Sequence, residues 1–149
     1  MKRRRQNPET SRQKMLIEYI DRVLRLPVIR INSGAIPIPH KDFGVTGAKA
    51  RSRLIRMAPA GTADIYATMK PEGIACWFEV KEPKKKATAL QRDFLLRQID
   101  AGACAGVVTT TEEIDYLIAA RLRPWGASGS GVKHFLRDLV ISRSVKDRQ

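Results

Sequence analysis

The chain has 149 residues, of which 43% are hydrophobic and 29% are charged, so it is long enough to form one folded domain with an ordinary core. Its 28 Lys and Arg residues outnumber its 15 Asp and Glu residues, which gives a formal net charge of +13. Such an excess indicates a polyanionic partner, and nucleic acid is favoured because no basic amphipathic membrane anchor stands out. No segment reaches the roughly 20 apolar residues of a membrane span. We therefore expect a cytoplasmic protein without a membrane partner.

The order of the sequence patterns predicts a basic flexible arm at residues 1–8 and one domain over residues 9–149, with its core at 12–123. Helical spacing of apolar residues and β-branched runs predict the elements. They are a helix from residue 8 that ends at Pro27, strands at 28–32, 51–57, 63–69 and 74–81, a helix at 88–102, a strand at 104–110, and helices at 111–123 and 132–143. Residues 33–50, rich in Gly and Pro, are predicted to form a loop. This order predicts an α/β domain with a central mixed β-sheet flanked by helices.

Several side chains have a predicted environment within these elements. In the helix at 88–102 the predicted inward residues are Leu90, Phe94, Leu95 and Ile99, and Gly102 is predicted to stop the helix. Cys76 and Cys104 lack the CxxC spacing of a zinc knuckle, so we expect two buried free thiols. A disulfide between them is the alternative.

Two acids and a lysine are predicted to share one face of neighbouring strands. Side chains alternate along a strand, so Glu79 and Lys81 project together, roughly 7 Å apart at their bases. If the turn in "KPEG" centres on Pro71 and Glu72, the residue numbers of paired positions sum to 143 and Asp64 lies opposite Glu79. A bulge at the following glycine would shift this register by one residue.

Opposed carboxylates repel each other, and a divalent cation between them would remove that cost. Magnesium prefers oxygen ligands and commonly uses one or two carboxylates with waters and phosphate oxygens. The predicted metal ligands are Asp64, Glu79 and the backbone carbonyl of Val80. Lys81 would then orient or deprotonate a water, or neutralise charge at phosphorus. The simpler interpretation is a strand-capping Asp beside a solvated Glu-x-Lys pair.

The segments "GTADI", "CWFEVK" and "ALQRDFLLRQIDAGACAGVV" together resemble the VRR-NUC family of the PD-(D/E)xK nuclease superfamily. The resemblance covers roughly residues 12–120 and includes "RINSG" at 30–34. The matching positions of the family pattern are Gly61, Asp64, Glu79, Lys81 and Gln91. The family commonly has a Glu early in the first helix, and that position aligns with Ser11 here. Glu9 and Glu18 are the candidates to replace it.

This resemblance implies a restriction-endonuclease-like fold and a metal-dependent phosphodiesterase. Asp64 and Glu79 would hold Mg²⁺ or Mn²⁺, Lys81 would act on the attacking water, and Gln91 would support the site from its helix. Family members of this size resemble structure-selective DNA endonucleases, including Holliday-junction resolvases that work as homodimers. The implied partner is therefore branched or structured DNA, together with a second copy of the chain.

Basic residues beside these motifs are candidates for contacts with DNA phosphates. They are Arg53 and Arg56 before the first acid, and Lys84, Lys85 and Lys86 after the second. Each group is equally compatible with a solvated surface. The aromatic content of 6% is too low for an extended platform that binds single strands. The alternatives to a junction endonuclease are a non-catalytic DNA-binding module and a nuclease for flaps, linear duplex or RNA.

Overall fold

A computed structural model of the chain describes residues 8–32, 35–38, 53–123 and 130–145. Residues 1–7 of the predicted basic arm lie outside the described residues, and so do residues 124–129, between the helices predicted at 111–123 and 132–143. The elements in chain order are α1 (Pro8–Arg22), β1 (Val28–Arg30), β2 (Ala35–Ile38), β3 (Arg53–Arg56), β4 (Ile65–Met69), β5 (Ile74–Val80), α2 (Ala89–Asp100), β6 (Cys104–Val108), α3 (Thr111–Leu122) and α4 (Ser130–Ser142). Within these ranges, no helix has the length and apolar character needed to cross a bilayer.

Four of the strands form one mixed sheet in the order β1-β4-β5-β6. The pairs β1–β4 and β4–β5 are antiparallel, whereas β5 and β6 are parallel because α2 carries the chain back across the sheet between them. With helices packed against it, the sheet confirms the predicted α/β class. Cys76 pairs with Cys104 across β5 and β6, and both are buried free thiols, as predicted.

The predicted register of the β4–β5 hairpin is confirmed. Ile65 pairs with Phe78 and Met69 pairs with Ile74, so paired residue numbers sum to 143 and no bulge shifts them. Asp64 immediately precedes β4, and the same register brings it opposite Glu79. A four-residue turn after Met69 therefore determines which side chains meet at the far end of the hairpin.

One face of the sheet is covered by α1 and α3. A Cβ added to Gly106 of β6 would meet the side chain of Leu117, so α3 packs closely on the face to which that position points. Tyr19 of α1 donates a hydrogen bond to Asp115 of α3 at 2.7 Å, which places the two helices side by side. The core on this face contains fully buried large side chains, among them Leu16, Ile20, Ile65, Phe78 and Ile114.

The opposite face carries α2 over β5 and β6. Phe94 of α2 makes an edge-to-face contact with Trp77 of β5, with ring centroids 5.1 Å apart. Trp77 and Glu79 are two residues apart in β5 and therefore project from the same face. Consequently α2 lies over the face from which Glu79 projects. The crossover helix thus brings its N-terminus to the acidic side chains.

The predicted loop at residues 33–50 is wrong in part, because residues 35–38 form β2. This strand pairs with β3 in a separate antiparallel two-stranded sheet, with Ala35 opposite Arg56 and Ile38 opposite Arg53. Pro37 lies within β2, where a two-stranded ribbon leaves each strand with an unpaired edge that tolerates the missing N–H. The prediction of a strand at 51–57 is confirmed by β3.

Two details of the helices also differ from the predictions. Leu90 was predicted to point inward, but it is 60% exposed, and the loop before β4 packs against its backbone and its Cβ. The first helix ends at Arg22 and not at Pro27, and Arg25 follows in a left-handed conformation with a φ of 56°. The other elements begin and end within a few residues of their predicted bounds.

Gly61 allows the loop before β4 to approach α2. Its φ is +87°, and a Cβ at this position would lie 2.8 Å from the backbone carbonyl carbon and oxygen of Leu90. Gly73 also has a positive φ, of +71°, but a Cβ there would meet nothing within 4 Å. Glycine is therefore favoured at position 61 for two reasons, the positive φ and the lack of space for a Cβ. At position 73 only the positive φ favours it.

We expect Gly61→Ala to destabilise the protein more than Gly73→Ala does. Gly73→Ala, the control, should lower the free energy of unfolding by about 1–2 kcal/mol, because Ala is strained in a left-handed conformation. Gly61→Ala should cost a further about 1–3 kcal/mol, because the helix backbone must move away. Urea unfolding of both variants measures the difference. Equal losses would show that the loop does not press against α2.

Candidate functional site

Asp64 occupies the point where the β4–β5 ladder stops. Its Oδ2 accepts a hydrogen bond from the backbone N–H of Val80 at 2.9 Å, and its own carbonyl accepts from the N–H of Ile31 at 2.7 Å. The side chain thus takes the place of a backbone acceptor at the end of β5. This bond fixes the carboxyl group beside the last residues of β5.

Glu79 is a buried acid with only one satisfied oxygen. Its side chain is 1% exposed. Its Oε1 accepts from Lys81 Nζ at 2.7 Å and from Gln91 Nε2 at 2.6 Å. Its Oε2 is buried and has no hydrogen-bond partner within the described part of the chain. A buried carboxylate oxygen without a hydrogen-bond partner destabilises the folded protein. Glu79 Oε2 is therefore a candidate metal ligand.

Gln91 is held in position by the start of α2. Thr88 is the N-cap, and its hydroxyl oxygen accepts from the N–H of Gln91 at 3.3 Å. In return, the N–H of Thr88 donates to Gln91 Oε1 at 2.9 Å. This capping box uses the amide oxygen, so the amide nitrogen points to Glu79. Thr88 was missed in the sequence, although Thr-x-x-Gln before a helix is the pattern that reveals a capping box.

The two acids interact closely. Burial and then the neighbouring Asp64 raise the pKa of Glu79 to about 7, against the lowering effect of Lys81. Burial also raises the pKa of Asp64, while the Val80 N–H and Lys81 act in the opposite direction. The carboxyl groups are near enough to share a hydrogen bond when Glu79 is protonated. Asp64, Glu79, Lys81 and Gln91, all predicted from the sequence, therefore converge in the structure.

The first turn of α1 also approaches this site. Arg12 Nη1 donates to the carbonyl of Thr109 at 3.0 Å, which anchors the helix beyond the end of β6. The charge of Glu9 contributes to the raised pKa of Asp64. Glu18 is exposed and lies nine residues further along α1, about 13 Å away at 1.5 Å per residue. Of the two alternatives to Ser11, Glu9 is therefore the one on the side of the site.

The residues present suit a hard divalent cation. Glu79 Oε2 lacks a donor among the residues that the structure describes, and the Asp64 carboxyl group interacts with the Glu79 carboxyl group. The Val80 N–H points to Asp64, and the N–H and C=O of one residue in a strand point the same way, so the Val80 carbonyl is directed to the same side. No cluster of three or more acidic, His or Cys groups occurs in the described ranges. Two carboxylates and a carbonyl fit Mg²⁺, which keeps waters and takes phosphate oxygens.

The lysine run lies at the same end of β5. Lys84, Lys85 and Lys86 are exposed in the segment between β5 and α2. Lys85 pairs with Glu82 at 2.7 Å, so part of its charge is compensated. Arg53 and Arg56 are the terminal residues of β3, and the placement of their side chains lies outside the described part of the structure.

Comparison of the chain with protein-family models, with curated proteins and with solved structures finds no match.

The stability of the metal-free protein should depend on the proton of Glu79. The folded chain holds this proton up to a pKa of about 7, against an ordinary pKa of 4.5 in the unfolded chain. Between these values unfolding releases a proton, so the free energy of unfolding falls as the pH rises. Over about 2.5 pH units at about 1.4 kcal/mol per unit, the loss is about 3 kcal/mol.

We expect Glu79→Gln to flatten this pH dependence, and urea unfolding in a chelator at several pH values measures it. Glu82→Gln is the matched control, because Glu82 has a pKa lowered by Lys85 and should leave the fall between about pH 5 and 7.5 unchanged. A wild-type protein whose stability rises across that range would contradict the assignment of a protonated Glu79.

Proposed function

We propose that this protein is a divalent-metal-dependent phosphodiesterase that cuts branched or otherwise structured DNA. The observation that carries the proposal is the arrangement around Glu79. Lys81 and Gln91 both bind Oε1, while Oε2 lacks a donor within the described residues, and the Asp64 carboxyl group interacts with the Glu79 carboxyl group. A structural ion pair would need only the donors that bind Oε1. A cation site also needs a carboxylate oxygen without a donor and a second carboxyl group near it.

Asp64, Glu79 and the carbonyl of Val80 would hold a Mg²⁺ or Mn²⁺ ion. When bound, such an ion supplies Lewis-acid activation of water and of the phosphoryl group. The protein's own contribution is preorganisation: the N–H of Val80 orients Asp64, and Lys81 with Gln91 orients Glu79. These groups hold their positions before substrate arrives, which lowers the cost of reorganisation during the reaction.

Lys81 has a second role beside orientation. Its side chain is 13% exposed and its ammonium group has three N–H donors, so pairing with Glu79 leaves donors for the attacking water or a phosphate oxygen. Negative charge develops on the phosphate oxygens during hydrolysis, and a fixed ammonium stabilises it. The proposed roles are therefore ligands for Asp64 and Glu79, charge stabilisation for Lys81, and positioning of Glu79 for Gln91.

The net charge of +13 and the exposed lysines beside the site support a polyanionic substrate. A restriction-endonuclease-like fold of VRR-NUC type is the framework that the sequence resemblance suggests for this α/β sheet. Selectivity for junctions and a homodimer with two active sites for two strands are part of the same proposal, and both rest on the resemblance.

A non-catalytic DNA-binding module is the second candidate. One observation favours it: the Lys81–Glu79 pair is short and almost buried, as a purely structural ion pair would be. Cleavage assays separate the two candidates, because a binding module retains DNA affinity and cuts no substrate.

Incubation with a four-way junction, a flap, linear duplex, single strand and RNA tests the proposal, with and without Mg²⁺ or Mn²⁺. We expect metal-dependent cutting of branched DNA in preference to the other substrates. Equal cutting of all substrates would contradict the selectivity. Binding without cutting in either metal would support the non-catalytic module.

Asp64→Asn and Lys81→Ala should each lower the cleavage rate by at least about 100-fold, because the first removes a charged metal ligand and the second removes the ammonium group that stabilises charge on the phosphate. Affinity for DNA in a chelator should stay within about threefold of wild type for Asp64→Asn, since a neutral amide does not weaken phosphate attraction. Asp93→Asn, on the outer part of α2, is the matched control and should cut normally. Normal cutting by Asp64→Asn would rule out the proposed site.

The exposed lysines should contribute to the salt dependence of DNA binding. Each phosphate contact contributes about 0.9 to the slope of log affinity against log salt concentration on duplex DNA. We expect Lys84→Ala with Lys86→Ala to reduce this slope by about 1–2. Lys133→Ala is the control, because Lys133 binds the carbonyl of Asp100 at the other end of α2. Fluorescence anisotropy titrations at several salt concentrations measure the slopes, and equal slopes would place DNA elsewhere.

A further inference from the structure

A row of apolar side chains crosses three strands next to the acidic site. Ile29 of β1 pairs with Tyr66 of β4, and Tyr66 pairs with Trp77 of β5, so all three project from the same face. The rings of Tyr66 and Trp77 are in contact, with centroids 4.8 Å apart and planes tilted by 58°. Phe94 of α2 borders the row on one side.

This row is only partly covered. Ile29 is 56% exposed, and Tyr66 and Trp77 are both partly exposed. In the described ranges, α2 covers β5 and β6 on this face, while α1 and α3 lie on the other face. Large aromatic side chains that remain accessible beside a charged site are unusual in a core and common in recognition surfaces.

The aromatic residues of the row lie close to the two acids along the same strands. Trp77 and Glu79 are two residues apart on one face of β5, and Tyr66 and Asp64 are two apart at the start of β4. Two residues along a strand span roughly 7 Å. A phosphate bound at the acids therefore brings the adjoining nucleotide within reach of the two rings.

We propose that Tyr66 and Trp77 bind one unpaired DNA base by stacking, immediately beside the phosphate that is cut. The proposal rests on the function proposed above and names the feature of the substrate that the site selects. Bases in an intact duplex are stacked on their neighbours, so only an unpaired or extruded base offers its face to these rings. Two rings suffice for one base, which agrees with the low aromatic content of the chain.

The occupant is identified as a base by its surroundings. The lysine run and Lys81 lie at the end of β5 where the row meets the acids, so the entry to this face is basic. A nucleotide combines a phosphate for the basic end with a flat ring for the aromatic end. A second copy of this strongly basic chain would instead bring more positive charge to the same place.

Cleavage of three matched substrates tests this inference. They are a duplex with one unpaired nucleotide, the same duplex with an abasic residue at the unpaired position, and the fully paired duplex. For the wild type we expect the base-containing substrate to have a kcat/KM about tenfold above that of the abasic substrate, as expected for one base–aromatic contact. Equal values would overturn the stacking site, and this comparison needs no variant.

Tyr66→Leu should bring the ratio of base-containing to abasic cleavage close to one. Tyr116→Leu is the matched control, because Tyr116 is an exposed tyrosine, 48% accessible, on α3 at the opposite face. It should leave the ratio at its wild-type value. A Tyr66→Leu protein that folds and keeps the full ratio would overturn the role of Tyr66.

A binding measurement separates failure of this inference from failure of the proposed function. With the chain's other tryptophan replaced (Trp125→Phe), fluorescence reports Trp77 alone. In chelator, a short thymidine oligonucleotide should quench this fluorescence, and an oligonucleotide with abasic residues throughout should quench at least about fivefold less. Cutting without such quenching would support the proposed nuclease function and exclude the stacking site. Quenching without any cutting would keep the base site and exclude catalysis.

Discussion

The binding of Lys81 and Gln91 to a single oxygen of the buried Glu79 carboxyl is the interaction on which the site depends. Both donors hold Oε1, so Oε2 is directed away from them and lacks a donor among the described residues. Burial, and after it the nearby Asp64 carboxyl, makes the charged form of Glu79 costly, so the pKa of Glu79 rises to about 7. A divalent cation would replace the proton and remove that cost.

The fold supports this interaction through ordinary local structure. The four-residue turn between β4 and β5 determines the register that brings Asp64 opposite Glu79. The parallel β5–α2–β6 crossover returns over the same face, and the capping box of Thr88 directs the Gln91 amide nitrogen to Glu79. Gly61 lets the loop that carries Asp64 pack against the start of α2. Each of these elements stabilises the fold and positions a side chain of the site.

Much of this arrangement was predictable from the sequence, because it depends on short-range rules. Strand alternation and the Pro71–Glu72 turn predicted the meeting of Asp64 and Glu79, and the structure confirms the register. The role of Gln91 came only from the family resemblance, since its contact with Glu79 depends on how α2 packs. β2 was missed because Pro37 argues against a strand unless its partner leaves an open edge. The prediction for Leu90 was wrong because the spacing of apolar residues does not show how the first turn of α2 packs against the loop before β4.

Anomalous diffraction from crystals grown with Mn²⁺ tests the central claim most directly. We expect one manganese peak in contact with Asp64, with Glu79 Oε2 and with the carbonyl of Val80, while Lys81 and Gln91 stay on Oε1. We also expect the peak to be absent in Asp64→Asn. Wild-type crystals in millimolar Mn²⁺ with no peak between the two carboxyl groups, or with Lys81 bound across both oxygens of Glu79, would contradict it.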